Sequence, residues 1–546
     1  MSHPESFDIR TATDADVDAT KKLFITAYGE DYPFNQFYDT SWLKKAVFDD
    51  DTLFLVAEDR GRIVGTISTM LTAGNLSDLI GEFGRLVVDP EVTCRNLGTS
   101  LFQSALSRVS GIIQFGFAEA RTAHRASQKI LEGSGFVALG FEPLKYKLQD
   151  RESMVMYGRL LGHTSDLRRN HPRVIPEVAP LAMSVLERMG LVPDVIVVEE
   201  EHGYPMAKGT DRMYPRDDFE IEDLSEQGWS PLLRIERGRV RGREVFGNLS
   251  LSHGFFKIKT EDTRYLVAKE GGAVVGGLGL THDPIDEKVR IFELVGINDR
   301  VKGRLLGEAE RVAREELNAL YLEADVTAYA PAIQRTLERM GFMAVAYCPS
   351  MVFEDVERLD VIRMAKLIAP YFREDIPLTE SADKIRDLVE HAMDDRREGQ
   401  AVALAAKTTD LFHGLDEGDI YHLAQLGRSR RICKGEWLMR QNESGDRLFI
   451  VVSGMMQARV GSKEVGRVAP GEIVGEMALL DDQPRSADVV ALDDSEVVEI
   501  LRSDFLRLAE RRARLGAVVM RNLAVNLAEK LRKVDARYTG SSDSTE

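Results

Sequence analysis

Apolar and polar positions alternate along Leu55–Ile67, "LVAEDRGRIVGTI", as two β-rich runs on either side of a polar, glycine-containing turn. That pattern predicts a β-hairpin. It returns at Leu266–Leu278, "LVAKEGGAVVGGL", where Val267, Ala268, Gly272, Val275 and Gly276 repeat Val56, Ala57, Gly61, Val64 and Gly65 at identical spacing. Downstream of each hairpin a helical run ends in a Gly-Phe pair: "LEGSGFVALGFEP" (Leu131–Pro143) and "LERMGFMAVAYCP" (Leu337–Pro349). Gly65 lies 70 residues before Gly135, and Gly276 lies 65 before Gly341. Such self-similarity predicts two copies of one α/β unit, over 1–150 and 229–356.

Between the copies, 151–228 reads as an extended connector with one helix at Pro180–Met189. A second connector, 357–407, has helical spacing in "VERLDVIRMAKLIAPYF". From Arg428 onward, short β runs are punctuated by Gly435, Gly445, Gly454, Gly461, Gly466, Gly471 and Gly475. This predicts an antiparallel roll or barrel within a third domain, 408–535, closed by the helical "SDFLRLAERRARLGAVVMRNLAVNLAEKLRKV". The polar tail 536–546 is expected to be disordered.

Composition narrows the function classes. The chain has 546 residues, room for three or four domains at roughly 100–200 residues each. Its net charge of −18 argues against a nucleic-acid-coating protein, which needs a basic face. The three cysteines, Cys94, Cys348 and Cys433, are far apart and form neither a disulfide framework nor a metal spacing, so no metal is expected and a cytoplasmic setting fits. "MSHPESFDIR" does not read as a signal peptide, and no run of about 18 apolar residues predicts a membrane span.

Residues 80–100, "IGEFGRLVVDPEVTCRNLGTS", run a strand into Asp89-Pro90, then Arg95-x-x-Gly98-x-Ser100, then a helix. A helix start presents free N–H groups to an anion; Gly98 permits close approach and Arg95 adds charge. With the hairpin and the Gly-Phe ending, 6–148 resembles the GNAT acyltransferase superfamily, whose loop reads Arg/Gln-x-x-Gly-x-Gly/Ala. Ser100 departs from the last position. The resemblance implies tandem GNAT-like domains. In the first copy it implies acetyl-CoA, or another acyl-CoA, held by Leu86, Val87 and Val88 along its pantetheine arm. Its pyrophosphate would rest on Arg95, Asn96, Leu97, Gly98, Thr99 and Ser100. Glu82 stands where many members carry a general base, and strand alternation would put it on the face of Leu86. A base is needed because at pH 7 only about one lysine amine in a thousand or fewer is neutral. Leu131 replaces the family's tyrosine acid; His124 and Ser127, read on one helix, are alternatives, set against ordinary surface or packing roles. The second copy keeps Arg300-x-x-Gly303 but puts Leu305 where a small residue belongs, and reads as degenerate.

In "GEIVGEMALLDDQPRSADVVA" (Gly471–Ala491), Glu476 and Arg485 stand nine positions apart. Residues 408–535 resemble the cyclic-nucleotide-binding domain of catabolite-activator proteins and of cyclic-AMP-dependent kinase regulatory subunits. The resemblance implies that Gly475, Glu476, Met477 and Ala478 and then Arg485, Ser486 and Ala487 hold cyclic AMP or cyclic GMP. Glu476 would take the ribose hydroxyl and Arg485 the phosphate. The opposing reading pairs Glu476 with Arg485 in an empty roll. The 45 residues after Leu501 are consumed by helix and tail, which argues against a DNA-reading element. The sequence therefore points to a cyclic-nucleotide-regulated N-acyltransferase acting on a protein lysine or a small amine. The alternative is a non-catalytic acyl-CoA and cyclic-nucleotide sensor or scaffold.

Overall fold

A computed structural model of the chain describes residues 7–29, 35–71, 73–74, 76–148, 151–206, 219–238, 242–368, 371, 373, 375–393, 409–415, 423, 426–480, 483–511 and 513–539. They form an α/β unit, Met1–Glu390, and a β-roll unit, His391–Glu546.

The first repeat runs β1 (Asp8–Thr11), α1 (Val17–Tyr28), α2 (Thr40–Phe48), β2 (Thr52–Asp59), β3 (Arg62–Met70), β4 (Ile80–Val88), α3 (Leu97–Val109), β5 (Phe115–Arg121), α4 (Ala126–Gly133), β6 (Val137–Lys147) and β7 (Arg151–Leu160). Short strands β8 (Arg173–Val174) and β9 (Ile196–Val197) flank α5 (Ala179–Arg188). The second repeat has β10 (Phe219–Asp223), α6 (Glu226–Gly238), β11 (Val245–Phe246), α7 (Phe255–Ile258), β12 (Thr263–Glu270), β13 (Ala273–Asp283), β14 (Lys288–Gly296), α8 (Asp299–Arg311), β15 (Tyr321–Thr327), α9 (Pro331–Arg339), β16 (Met343–Glu354) and β17 (Glu357–Leu367).

Both repeats lie in one sheet, ordered β1-β2-β3-β4-β5-β7-β6-β16-β17-β15-β14-β13-β12-β10. The order is palindromic about β6 and β16, which pair at Gly140↔Ala346. These two residues hold the same position after the Gly-Phe pair of each repeat, so a pseudo-twofold axis passes between them. The contacts around it are reciprocal. Arg151 donates to Asp286 O (3.0 Å) and Leu144 O (2.9 Å). Arg358 donates to Asp78 O (2.8 Å) and Ser350 O (2.7 Å). Lys147 N donates to Asp286 Oδ1, and Phe353 N to Asp78 Oδ1, both at 3.1 Å. The repeats pack as a homodimer would, through one surface used twice.

Two sequence expectations change here. "VERLDVIRMAKL" is not a helix: β17 spans it, and β7 likewise extends the first repeat's sheet past residue 150 to Leu160. Most of β17 is buried, Arg358, Asp360 and Arg363 included, so the alternation that marks a half-exposed strand is missing. β10 pairs with β12, which moves the start of the second repeat's sheet back to Phe219, inside the presumed connector.

The second unit is an antiparallel roll of β18 (Gly427–Ile432), β19 (Trp437–Met439), β20 (Arg447–Ser453), β21 (Met456–Val460), β22 (Lys463–Val468), β23 (Ile473–Val474), β24 (Asp488–Ala491) and β25 (Ser495–Leu501). Its sheets, β18-β25-β20-β23 and β19-β24-β21-β22, enclose a core that includes Phe449, Val451, Met456 and Val497. Helices Arg502–Arg511 and Ala513–Thr539 follow; Phe505, Leu515, Val519 and Leu523 pack on Leu448, Ile450 and Leu479. The second helix continues to Thr539, beyond the expected start of the tail at 536, and 540–546 lie outside the described residues. Among the described residues no helix is long and apolar enough to cross a membrane.

A side chain at position 140 would place its Cβ 2.2 Å from Val345 O. Gly140→Ala should therefore destabilise the first unit by about 1–3 kcal/mol, the usual cost of overpacking, read as a lowered thermal midpoint. A midpoint equal to wild type would show that the junction can yield.

Candidate functional site: two clefts and a phosphate cassette

In the first repeat, β4 and β5 pair in parallel only from Ile80↔Phe115 to Glu82↔Phe117. Beyond that they diverge, and no described segment pairs with either strand inside the splay. Phe83, Phe102 and Phe136 interlock at ring-centroid distances of 5.1–5.6 Å and fix β4, α3 and the start of β6 together. The backbone of Leu86, Val87 and Val88 borders the cleft. α3 begins after Asn96, which has φ 54° and makes no side-chain cap, so the first-turn N–H groups are not capped from within. A Cβ on Gly98 would meet Ile130, Leu86 and Val88, placing this glycine against the strand. Leu97 is buried, and Asn96, Thr99 and Ser100 are exposed. The Arg95 side chain lies outside the described residues.

Glu82 does not share a face with Leu86. A β-bulge separates Thr66↔Val87 from Ser68↔Gly84, with Arg85 at φ 54° inside it. The extra residue reverses the alternation. Glu82, paired with Met70, lies on the face of Val87, while Leu86 packs toward Gly98. Glu82 is half-buried and accepts no hydrogen bond among the described residues. Burial pushes its carboxyl up from the ordinary value, and the Glu119 charge adds to this against Arg85.

Beside it is a cluster that sequence reading did not find. Glu119 accepts from Lys145 Nζ (2.7 Å), Tyr146 Oη (2.7 Å) and Arg363 Nη1 (3.0 Å), the last from the second repeat. Burial opposes the Glu119 charge, but Lys145 and Arg363 outweigh it and bring the carboxyl down to about 2. Arg363 also holds Glu142 and Asp325, and Lys145 pairs with Glu323. The available signal was charged residues in otherwise apolar strands, such as Arg85 in "GEFGRLVV" and Arg363 in "DVIRMA". Leu131 is buried, and His124 is exposed and precedes α4 rather than sharing a helix with Ser127. Ser127 Oγ is buried without a hydrogen-bond partner among the described residues.

The second cleft differs at each corresponding point. β14 pairs with β15 from Lys288↔Tyr321 to Ile291↔Ala324. Matching this register to the first repeat puts Arg290 where Glu82 stands. β11 then pairs with β15 at Val245↔Val326 and Phe246↔Asp325, so the chain itself occupies the splay. Glu244, next to β11, pairs with Lys302 Nζ (2.5 Å) and accepts from Tyr204 Oη (2.8 Å). Asn298 caps α8 through Val301 N, Arg300 is held by Glu270, and Leu305 is fully buried. A cavity of about 570 Å³ remains beside Glu244, Gly296, Asn298 and Lys302.

In the roll, Gly475, at φ 75°, caps the 3₁₀ turn Glu476–Leu479. Glu476, Ala478 and Arg485 are buried, Met477 and Ser486 exposed, and Ala487 half-buried before β24. The Arg485 hydrogen bonds go to Gly475 O (3.3 Å) and Arg447 O (2.7 Å), not to Glu476, and its guanidinium lies 5.8 Å from the Phe449 ring centroid. Burial lowers its pKa, against the pull of Asp446 and Glu476. A buried cation held by neutral carbonyls is matched to an incoming anion.

Comparison with known proteins matches a domain family to each unit. Residues 17–136 match the family model of the acetyltransferase (GNAT) family, and 429–512 that of the cyclic nucleotide-binding domain. The chain is 34% identical over 134 residues to a cyclic AMP receptor protein of Thermus thermophilus, covering 24% of this chain and 60% of that protein. It is 30% identical to a cGMP-dependent protein kinase of Caenorhabditis briggsae over 20% of this chain and 15% of the kinase. The crystal structure of Thermus thermophilus catabolite activator protein matches at 32% identity and a TM-score of 0.23, over 24% of this chain and 63% of that one. The chain thus spans less than two thirds of the length of each. It carries a GNAT-family acetyltransferase domain and a C-terminal cyclic nucleotide-binding domain.

Arg485→Leu should weaken cyclic-nucleotide binding by about tenfold or more, the cost of a lost hydrogen bond to a charged group. Calorimetry with cyclic AMP and cyclic GMP measures it; unchanged affinity would remove Arg485 from the phosphate site.

Proposed function

We propose that the protein is an acyltransferase whose first repeat moves an acyl group from acyl-CoA, acetyl-CoA in the simplest case, to a primary amine. A cyclic nucleotide in the roll would set its rate. The reading rests chiefly on one observation: among the described residues the first splay holds no chain segment, beside a helix start whose N-cap residue makes no side-chain cap and a half-buried carboxylate, whereas the second is filled by β11.

In this mechanism the pantetheine arm lies along Leu86–Val88 and the pyrophosphate on the turn Arg95–Ser100. Glu82, ionised, takes a proton from the acceptor ammonium, directly or through one water. The amine nitrogen attacks the thioester carbonyl carbon, and the bulge at Arg85 offers backbone N–H groups to the developing oxyanion. The C–S bond breaks as the amide forms, and the nitrogen gives up its second proton to the departing thiolate or to solvent. A thiolate with pKa near 8.5 leaves with little need of an acid, so Leu131 in the tyrosine position is tolerable. Ser127, on α4, would be the candidate replacement. The second repeat would be structural, supplying Arg363 to the first.

In the roll, Glu476 would accept from the ribose hydroxyl and Arg485 would bind the phosphate. Similarity to the Thermus receptor favours cyclic AMP; the kinase keeps cyclic GMP as an alternative. Leu479, in the cassette turn, packs with Phe505 and Leu515, so nucleotide binding and the closing helices can share one conformational equilibrium. A coupling of about 1–3 kcal/mol would change the rate about 5–150-fold. Acceptors include protein lysines and small amines, and no nucleic acid or membrane partner is invoked. The second reading, a non-catalytic sensor of acyl-CoA and cyclic nucleotide in the cytoplasm, draws on the buried Leu131.

Glu82→Gln should lower kcat/KM by about 10²–10⁴. Because the base acts ionised and its pKa is raised, wild-type activity should climb as pH rises through that pKa and fall away below it. The variant should lose this limb. Thiol release against pH, with and without cyclic AMP, measures both claims: an unchanged limb removes Glu82 as base, and equal rates remove the regulation. Calorimetry should give one acetyl-CoA per chain; two would return the second cleft to service.

A further inference from the structure

The acceptor side of the first repeat contains a cavity of about 220 Å³ between α2 and the β2–β3–β4 face. Its wall includes Trp42, Ser68, Met70 and Arg85, with exposed Lys45 and Asp49 also lining it. Met70 pairs across the ladder with Glu82, and Ser68 with Gly84, so the candidate base is the cross-strand neighbour of a wall residue while lying outside the lining itself.

Arg85 is the unusual member. It occupies the left-handed region at φ 54°, which costs a non-glycine residue of order 1 kcal/mol or more and persists only where the surroundings impose it. Its guanidinium donates to Ser68 Oγ (2.9 Å) and Met70 Sδ (3.3 Å) and lies 6.0 Å from the Trp42 ring centroid. Each of these partners is neutral. No carboxylate among the described residues lies within ion-pair distance of this half-buried cation. Most other half-buried or buried arginines nearby are neutralised: Arg121 by Glu152, Arg363 by Glu119 and Asp325.

Granting the acyl-transfer reading, we propose that the acceptor is a small primary amine carrying an anionic group, of the free α-amino acid kind. Its carboxylate docks on Arg85 and its amine is directed toward Glu82. The planar fork of Arg85 suits a carboxylate bidentately. The volume lies below the roughly 300–1,000 Å³ of drug-sized sites, which selects a small molecule over a peptide segment. A protein lysine presents its ε-amine without a neighbouring carboxylate and would leave Arg85 without an ion pair, with only the Glu82 charge acting on it.

The test compares free L-amino acids with their C-terminal amides, using acetyl-CoA thiol release by the full chain. KM should be about tenfold or more lower for the acids than for the amides. Arg85→Met should erase that preference and Arg85→Lys retain part of it, with thermal melts confirming folded variants. Equal KM values for acid and amide, or a preference that survives Arg85→Met, would overturn the proposal while leaving acyl transfer intact. If no amine releases thiol, acyl transfer fails instead. Calorimetric binding of the same pairs to the acetyl-CoA-loaded chain then decides: acid-selective binding lost in Arg85→Met upholds the pocket, and unselective or absent binding overturns it.

Discussion

The first unit depends on one close approach. At Gly140 and Ala346 two strands meet across the pseudo-axis with no room for a side chain on the first. That contact joins the seven strands of the first repeat and the eight of the second into one sheet and buries the strands at the junction. Once buried, charged residues on those strands had to find partners. Arg363 reaches Glu119 and Glu142, and Lys145 reaches Glu323, across the seam, while Asp325 holds Arg363 from within its own repeat. Breaking such a set by removing one member leaves an uncompensated buried charge, typically a 3–5 kcal/mol loss. The seam therefore resists piecemeal change.

The two repeats differ most where a ligand would sit. In one, diverging strands leave backbone groups available; in the other, β11 takes them up and Glu244 neutralises the lysine of the helix. The sequence difference at Leu305 pointed the same way, but through crowding at the helix start. The structure adds a stronger obstacle, a length of chain lying in the splay.

Legibility followed periodicity. The hairpins, the helix start at Gly98 and the cassette turn at Gly475 carry local signals, the first readable from spacing and the other two from motifs that resemble known families. β17 was not, because a strand buried on both faces with ion-paired arginines has no alternating pattern. The face of Glu82 was misread for a related reason: alternation assumes an unbroken strand, and the bulge at Arg85 inserts one residue. Arg85 and Glu119 were visible only as charges in apolar runs. Their partners come from strands far away in sequence, one of them in the other repeat, and no local pattern encodes such a meeting.

One departure from reciprocity at the axis has a larger meaning. β-ladder register makes Met156 the counterpart of Arg363. In a true homodimer every substitution is made twice, so an arginine reaching across the axis would arrive together with its mirror image, and both guanidiniums would crowd the same centre. Tethering the halves in one polypeptide lifts that rule. Each side can specialise alone, one keeping a neutral thioether and the other lending a charge, so the covalent link is itself what permits a division of labour.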